Sequence, residues 1–120
     1  MVTIQNFEDL TVRQLSKGLA IKIYQLTSSF PKNEQYALSD QIIRSVTSVG
    51  ANIAEGFGRY HYKESKQFYY IARGSLLETK SHLLIAESLF NIDHNLVEQL
   101  SNDIKILSIK LNNFINSIGD

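Results

Sequence analysis

Apolar residues recur every three or four positions along most of this chain, and that spacing constrains the fold more than any other feature. The clearest stretch is residues 69–90, where one apolar stripe continues for about six helical turns. A period near 3.6 residues is typical of amphipathic α-helices, whereas strand side chains alternate with a period of two. Only one proline, Pro31, interrupts the chain. The sequence therefore predicts an all-α protein.

Two helices are expected in the first half of the chain. Residues 11–14 (Thr-Val-Arg-Gln) have the spacing of a capping box, in which the threonine caps the first helix. Pro31 ends that helix, and residues 31–38 are predicted to be a connection. Ser39 is the predicted N-cap of a second helix that runs to about Gly58, because its hydroxyl can accept a hydrogen bond from free amides.

Two further helices are expected in the second half. A short turn leads to a third helix from about Tyr62 to Phe90, and Asp93 is the predicted N-cap of a fourth helix that continues to the end. Short loops favour antiparallel neighbours, so we expect an antiparallel, up-down-up-down four-helix bundle. Apolar residues outside the main stripes leave surplus surface that self-association would cover. They are Ile21, Tyr24, Ile43, Tyr70, Leu84 and Ile85.

Length and composition limit the class of protein. At 120 residues, the chain is expected to form a single domain with its own core. It has no cysteine, which excludes disulfides and thiolate metal sites. The longest apolar run, residues 68–72, is far shorter than the roughly 20 residues that span a bilayer, and residues 1–9 do not resemble a signal peptide. These features predict a soluble, cytoplasmic protein without a membrane partner.

The charges are unevenly placed, although the formal net charge is zero. Residues 41–75 hold five basic and two acidic side chains, whereas residues 76–120 hold three basic and six acidic ones. The basic residues of the middle segment are Arg44, Arg59, Lys63, Lys66 and Arg73. They are candidates to bind RNA phosphates, or alternatively to form solvated or intersubunit ion pairs. Nearby Tyr60, Tyr62 and Tyr69 could stack on single-stranded bases or pack in the core.

Two segments, residues 51–59 and 71–79, interrupt the apolar pattern with glycines and polar residues. Glycine inside a helix costs about 1 kcal/mol relative to alanine, and a buried polar group costs more unless it has a partner. We therefore expect Asn52 and Glu55 to pair with polar residues of helix three, and the glycines to allow close backbone packing. A functional pocket is the alternative. The residues concerned are Asn52, Glu55, Gly56, Gly74, Ser75 and Glu78, with Arg73 as a further partner.

Enzyme and cofactor chemistry has no support in the sequence. A di-iron bundle needs Glu-x-x-His pairs on two helices, whereas Glu78 and His82 are four residues apart and no second pair exists. There is no Gly-x-Ser-x-Gly elbow, and Gly56 and Gly58 lack the Gly-Lys-Ser/Thr ending of a phosphate loop. The sequence predicts no catalytic residue, no metal and no cofactor.

Several segments in this order resemble the four-helix bundle proteins encoded in intervening sequences of bacterial 23S ribosomal RNA genes. They are FEDLTV at residues 7–12, FPKNEQYAL at 30–38, QIIRS at 41–45 leading into ANIAEGFGR at 51–59, and IARGSLLET at 71–79. The resemblance covers nearly everything from residue 7 to residue 118. In one departure, Gly50 stands where the family usually has a proline.

The resemblance implies a bundle that assembles as a homopentamer, with no known catalytic activity and a poorly defined cellular role. In a related branch, the accessory protein of diversity-generating retroelements, a basic surface of the pentamer binds nucleic acid and the reverse transcriptase. The family-motif positions are Arg44, Asn52, Glu55, Gly56, Arg59, Gly74, Ser75 and Glu78. The first hypothesis is therefore a non-enzymatic oligomer that binds RNA, with ribosomal RNA as one candidate. The second is a module that holds another protein.

Overall fold

The computed structural model describes residues 6–59 and 61–118, without the side chains of residues 34–36. Every regular element within those ranges is helical, which confirms the predicted fold class. The long helices are α1 (Thr11–Thr27), α2 (Asp40–Phe57), α3 (Tyr62–Phe90) and α4 (His94–Ser117). Tyr60, one of the predicted stacking residues, lies outside the described residues.

Helix α3 is the longest element, and it sets the length of the molecule. Its 29 residues span about 43 Å at 1.5 Å per residue, close to the longest dimension of 47 Å. Helix α2 packs against α1 and α3, and α4 packs against the same two helices. Each long helix therefore buries its apolar stripe between two neighbours.

The predicted apolar stripes form one core between the four helices. Side chains with 0 % exposure include Ile23, Ile42, Ile53, Leu76, Leu83 and Leu111. The aromatic residues at the ends of the stripes, Phe57, Phe90 and Phe114, are half-buried. Most of the apolar residues predicted to lie off the stripes are exposed, namely Ile21, Tyr24, Tyr70, Leu84 and Ile85, while Ile43 is half-buried.

The predicted capping box at the start of α1 is wrong. Helix α1 begins at Thr11 itself, and the N-cap position is occupied by Leu10, whose side chain has no oxygen. A 3-10 helix, Phe7–Asp9, precedes it. Gln14 donates its side-chain amide to the carbonyl of Glu8, 3.3 Å away.

Helix α2 begins at Asp40, directly after Ser39 as predicted, but Ser39 does not cap it, because the connection before it is helical. The predicted connection, residues 31–38, is mostly helical: a 3-10 helix, Lys32–Glu34, is followed by a π-helix, Gln35–Ser39, that runs directly into α2. Ser39 therefore has helical φ and ψ angles of −58° and −47°, whereas an N-cap residue needs extended backbone. Its hydroxyl is buried and makes no hydrogen bond to any described residue.

The connection between α3 and α4 confirms the predicted cap at Asp93. Helix α3 ends at Phe90, and the next residue, Asn91, has the left-handed conformation with φ of 53°, which asparagine adopts more readily than most residues. The Asp93 carboxylate then accepts a hydrogen bond from the Asn95 amide at 3.0 Å. This turn places His94, the first residue of α4, beside the end of α3.

His94 makes the stability of this turn dependent on pH. Its Nδ1 lies 3.0 Å from the Glu87 carboxylate and its Nε2 lies 3.4 Å from that of Glu98. The hydrogen bond to Glu87 and the charge of Glu87 raise the pKa of His94. The folded state therefore favours the protonated ring, and this contribution is complete below the ordinary pKa of about 6.5 and is lost as the pH rises through the raised folded value.

We expect the variant His94→Gln to flatten the dependence of Tm on pH over that window. The reason is that glutamine carries no ionisable ring, so the proton uptake that couples folding to pH disappears. Thermal unfolding between pH 5.5 and about 8 is the measurement. Glu87→Gln, which removes the main cause of the raised pKa, should have the same effect. An unchanged pH profile in both variants would contradict the assignment.

Candidate nucleic-acid-binding surface and polar interface

Side-chain hydrogen bonds between small polar residues join α2 to α3. Thr79 Oγ1 lies 2.9 Å from Ser45 Oγ, and both residues are buried. Further along the helices, the hydroxyls of Ser48 and Ser75 are 3.0 Å apart. The Asn52 side-chain amide donates to the Ser48 carbonyl at 2.8 Å and to the Ser48 hydroxyl at 3.0 Å. The structure thus brings two predicted residues, Asn52 and Ser75, into one network through Ser48.

The network also uses backbone carbonyls within each helix. Ser45 donates to the carbonyl of Ile42 at 2.9 Å. Thr79 has a single hydroxyl hydrogen, which lies within reach of both the Ser45 hydroxyl and the Ser75 carbonyl, each at 2.9 Å. Buried hydroxyls that keep a partner avoid most of their desolvation cost, and side-chain bonds between helices favour one register over others. This arrangement supports a structural role for the polar positions.

Three of the predicted network residues lie elsewhere. The Glu55 carboxylate is 57 % exposed and pairs with Arg59, four residues later in the chain, with 3.0 Å between Oε2 and Nη2. Glu78 is 60 % exposed and contacts His82, with 3.3 Å between Oε2 and Nε2. Gly74 is exposed, and a Cβ built there meets no described atom within 4 Å. None of these three therefore bridges α2 and α3.

Gly56 allows α2 and α3 to pack closely near the turn that joins them. A Cβ at this position would lie 2.5 Å from Cε1 of the Tyr69 ring and 3.0 Å from the backbone oxygen of Ser65. The first distance is shorter than real Cβ atoms show, and the second is tighter than nine in ten real Cβ contacts. The buried Tyr69 ring thus occupies the space that a side chain at residue 56 would need.

Arg59 follows α2 and is held by three neighbours. Its guanidinium lies 3.0 Å from the Glu55 carboxylate and 3.2 Å from that of Glu64, and it stacks 4.6 Å from the centre of the Phe68 ring. Two carboxylates therefore surround one cation, which leaves this group of ionisable side chains with a net negative charge. Arg59 alone is a weaker site for phosphate than the sequence indicates.

The other four basic candidates are not all close to Arg59. Lys63, which is exposed, and Lys66, which is half-buried, lie on the first turns of α3 beside it. Arg44 lies about 22 Å away along α2 and pairs with Asp40 at 3.2 Å. Arg73 is half-buried, donates to the neutral Asn112 at 3.0 Å and lies over the Tyr70 ring. The structure thus gathers Arg59, Lys63 and Lys66, which we call the cationic end, and separates the remaining two.

A cavity of about 530 Å³ lies next to the cationic end, between the α2–α3 turn and the last turn of α4. We call it the aromatic pocket. Four aromatic residues line it, namely Phe57, Tyr62, Tyr69 and Phe114, together with Arg59, Ser65 and Ser117. The Tyr69 and Phe114 rings meet edge to face with centroids 5.0 Å apart.

Tyr69 lies deep in the aromatic pocket. Its ring therefore packs in the interior and has no exposed face, so of the two roles expected from the sequence it has the packing role. It is only 3 % exposed, whereas Tyr62 is exposed at the opening. Burial raises the pKa of Tyr69 to about 12, so its hydroxyl keeps its proton at neutral pH.

Phe57 and Phe114 lie at the ends of the apolar stripes of α2 and α4, and Ser117 lies on the last turn of α4. Each of these residues belongs to the end of a different helix from Tyr69. Their shared cavity therefore has no signature in local spacing, since it depends on how α2, α3 and α4 come together. Within the described ranges, no group of three or more His, Asp or Glu side chains is placed to hold a metal ion.

These observations define a small all-α protein whose four long helices surround a single core. The chain belongs to the 23S rRNA-intervening sequence protein family, whose sequence profile matches residues 8–113. It is similar to a crystal structure of a protein of unknown function from the S23 ribosomal protein family of Bacteroides thetaiotaomicron, with 26 % identity and a TM-score of 0.80. That similarity covers 88 % of this chain and 98 % of the other. Among curated proteins, none matches the chain.

The family assignment confirms the resemblance inferred from the sequence motifs. The related crystal structure is described as having unknown function, so it adds the fold and not an activity. As for membranes, no helix within the described residues has both the length and the apolar character needed to cross a bilayer.

Proposed function

We propose that this protein is a non-enzymatic, cytoplasmic bundle that assembles with copies of itself, as a homopentamer by resemblance to its family, and binds RNA at its cationic end. Ribosomal RNA is one candidate ligand. The observation that carries the proposal is an apolar stripe on the outer face of α3. Such a stripe has no role in a lone, soluble bundle, whereas association between copies would bury it.

The outer stripe consists of residues that face away from the core seam of α3. Its members are Tyr70, Ile71, Leu77, Leu84, Ile85 and Leu89, which are between 42 % and 65 % exposed. Tyr70, Leu77 and Leu84 recur every seven residues, and at 3.6 residues per turn the other three lie on the same side of the helix. The exposed Gly74 belongs to the same side and would let another backbone approach.

The up-down-up-down arrangement is part of the same proposal. The hydrogen bonds between α2 and α3 support it: Ser45 contacts Thr79, and the later residue Ser48 contacts the earlier residue Ser75. This order of contacts is that of two antiparallel helices. Antiparallel neighbours place the α2–α3 turn at one end of the molecule. In a ring of copies, the cationic ends would then lie on one rim and add their fields.

Lys63, which is exposed, is the main phosphate contact in this proposal, and Arg59 and Lys66 contribute beside it. Arg59 is shared by two carboxylates, so its contribution depends on how far a phosphate can displace them. Because phosphate binding releases counterions, affinity should fall steeply with salt. The dependence of affinity on salt therefore measures how many cations take part.

The test is a salt titration of binding to labelled single-stranded RNA and ribosomal RNA fragments, with the protein's mass in solution measured alongside. We expect the triple variant Arg59→Ala, Lys63→Ala, Lys66→Ala to reduce the slope of log affinity against log salt by about 2 for single strands. A matched control replaces three exposed lysines elsewhere, Lys17, Lys105 and Lys110, with alanine. Equal slopes in the two triple variants would remove the cationic end from the RNA site.

A module that holds another protein is the second candidate, and the ion pairs favour it. Arg44 and Arg59 already have carboxylate partners within the chain, at Asp40 and at Glu55 and Glu64. Under this alternative, the basic residues stabilise the bundle or its assembly and do not attract RNA. Wild-type protein would then bind no RNA at moderate salt, and the triple variant at the cationic end would dissociate into smaller species.

A further inference from the structure

We propose that the aromatic pocket binds a single unpaired nucleobase, a site that deepens the proposed RNA-binding function and rests on it. The shape and composition of the pocket carry the proposal. Its volume of about 530 Å³ falls within the range of about 300–1,000 Å³ typical of small-molecule sites. It lies beside Lys63, which follows Tyr62 in the chain, so a base and its phosphate can contact the same end of the molecule.

The floor of the pocket offers a polar group, the hydroxyl of Tyr69. Tyr69 is only 3 % exposed, and its hydroxyl can donate or accept a hydrogen bond. The edge of a nucleobase carries both donors and acceptors, so it can satisfy this hydroxyl in either direction.

The walls suit a flat and uncharged ring. Phe57 and Phe114 are half-buried, and their exposed parts border the cavity together with Tyr62. Proteins that read unpaired RNA commonly stack splayed bases on such side chains. The charged lining residue, Arg59, already has two carboxylate partners, so the part of the ligand that enters the pocket needs no counter-charge.

The opening of the pocket allows it to be blocked without disturbing the core. Ser117 is exposed on the last turn of α4 and lines the cavity. Asn116, its neighbour, is also exposed and does not line the cavity. The variant Ser117→Phe therefore fills the opening, whereas Asn116→Phe adds the same ring outside it. Tyr69→Phe removes the hydroxyl alone and keeps the ring in place.

The experiment uses single-stranded RNA with one 2-aminopurine and a terminal fluorescein, mixed with the full chain at low salt. Fluorescein anisotropy reports RNA binding, and 2-aminopurine emission reports whether the base becomes stacked. We expect 2-aminopurine emission to be quenched by the wild type and by Asn116→Phe. The affinity of Ser117→Phe for the RNA should fall to about one tenth of the wild-type value or below. Tyr69→Phe should weaken binding by about three- to tenfold, the effect of one lost hydrogen bond.

The outcomes separate the pocket from the proposed function. If RNA binds but 2-aminopurine emission does not change, or if Ser117→Phe and Asn116→Phe bind equally, the pocket is not the base site while RNA binding stands. If no RNA binds at low salt, the proposed function fails, and adenosine monophosphate becomes the probe. Shifts of the Tyr69 and Phe114 ring resonances that Ser117→Phe abolishes would then assign the pocket to a free nucleotide. Absence of those shifts would overturn the nucleobase site altogether.

Discussion

Gly56→Ala is expected to destabilise the folded chain by about 2 kcal/mol, even though alanine is the better helix former. The added methyl group would lie 2.5 Å from the Tyr69 ring and 3.0 Å from the backbone oxygen of Ser65. The ring cannot easily retreat, because it already packs against Phe114 with centroids 5.0 Å apart. Backbone of α3 would have to shift, which cores resist because they are closely packed.

Gly74→Ala is the matched control for this prediction. Both glycines lie in helices, but no described atom lies within 4 Å of a Cβ at residue 74. We expect Gly74→Ala to stabilise a single bundle by about 0.5–1 kcal/mol, since alanine loses less backbone entropy. Urea unfolding of both variants at one protein concentration makes the comparison. If both substitutions stabilise the chain, the close approach of α2 and α3 at Gly56 is not tight.

The helices were largely predictable because their signal is long and repeated. The bounds of α3 agree with the prediction, since its apolar stripe repeats over many turns and the core seam lies where the stripe places it. The cap at Asp93 was also correct. The predicted caps at Thr11 and Ser39 were wrong, because capping depends on the backbone conformation of the preceding residues. Serine and threonine also occur within helical turns, so their presence alone does not identify a cap.

The polar interface was only partly predictable, because sequence spacing does not give the rotation of a helix. Asn52 faces α3 through Ser48, yet Glu55 lies a further 60° or so around α2 and reaches solvent. The serines at 45 and 48 carried the missing signal, since both are small enough to lie between helices. The ion pair between Glu55 and Arg59 was visible as an i, i+4 pair, a spacing that favours pairing within one helix.

The aromatic pocket could not be predicted from any local pattern. Its residues come from the end of α2, the start of α3 and the end of α4, and each fits the apolar or polar pattern of its own helix. Only the packing of the three helices leaves a space between them. A residue such as Phe114 therefore serves the core stripe and the pocket wall at once, and periodicity detects the first role alone.

Leu76→Ala is expected to cost about 3 kcal/mol of unfolding free energy, because it removes a side chain with 0 % exposure and leaves a cavity in the core. The adjacent Leu77 is 58 % exposed on the outer stripe of α3, so Leu77→Ala should change the stability of a single bundle by less than about 0.5 kcal/mol. Urea unfolding, repeated across a range of protein concentrations, measures both.

The two leucines separate folding from assembly, because they are the same residue type on the same helix and differ in the face they occupy. If copies associate through the outer stripe, Leu77→Ala will lower the mass of the protein in solution and make its midpoint depend more strongly on concentration. Leu76→Ala will lower the urea midpoint at every protein concentration, because it destabilises the core of each chain. If Leu77→Ala leaves both mass and midpoint unchanged, this face of α3 does not join the copies, and the proposed assembly must use another surface.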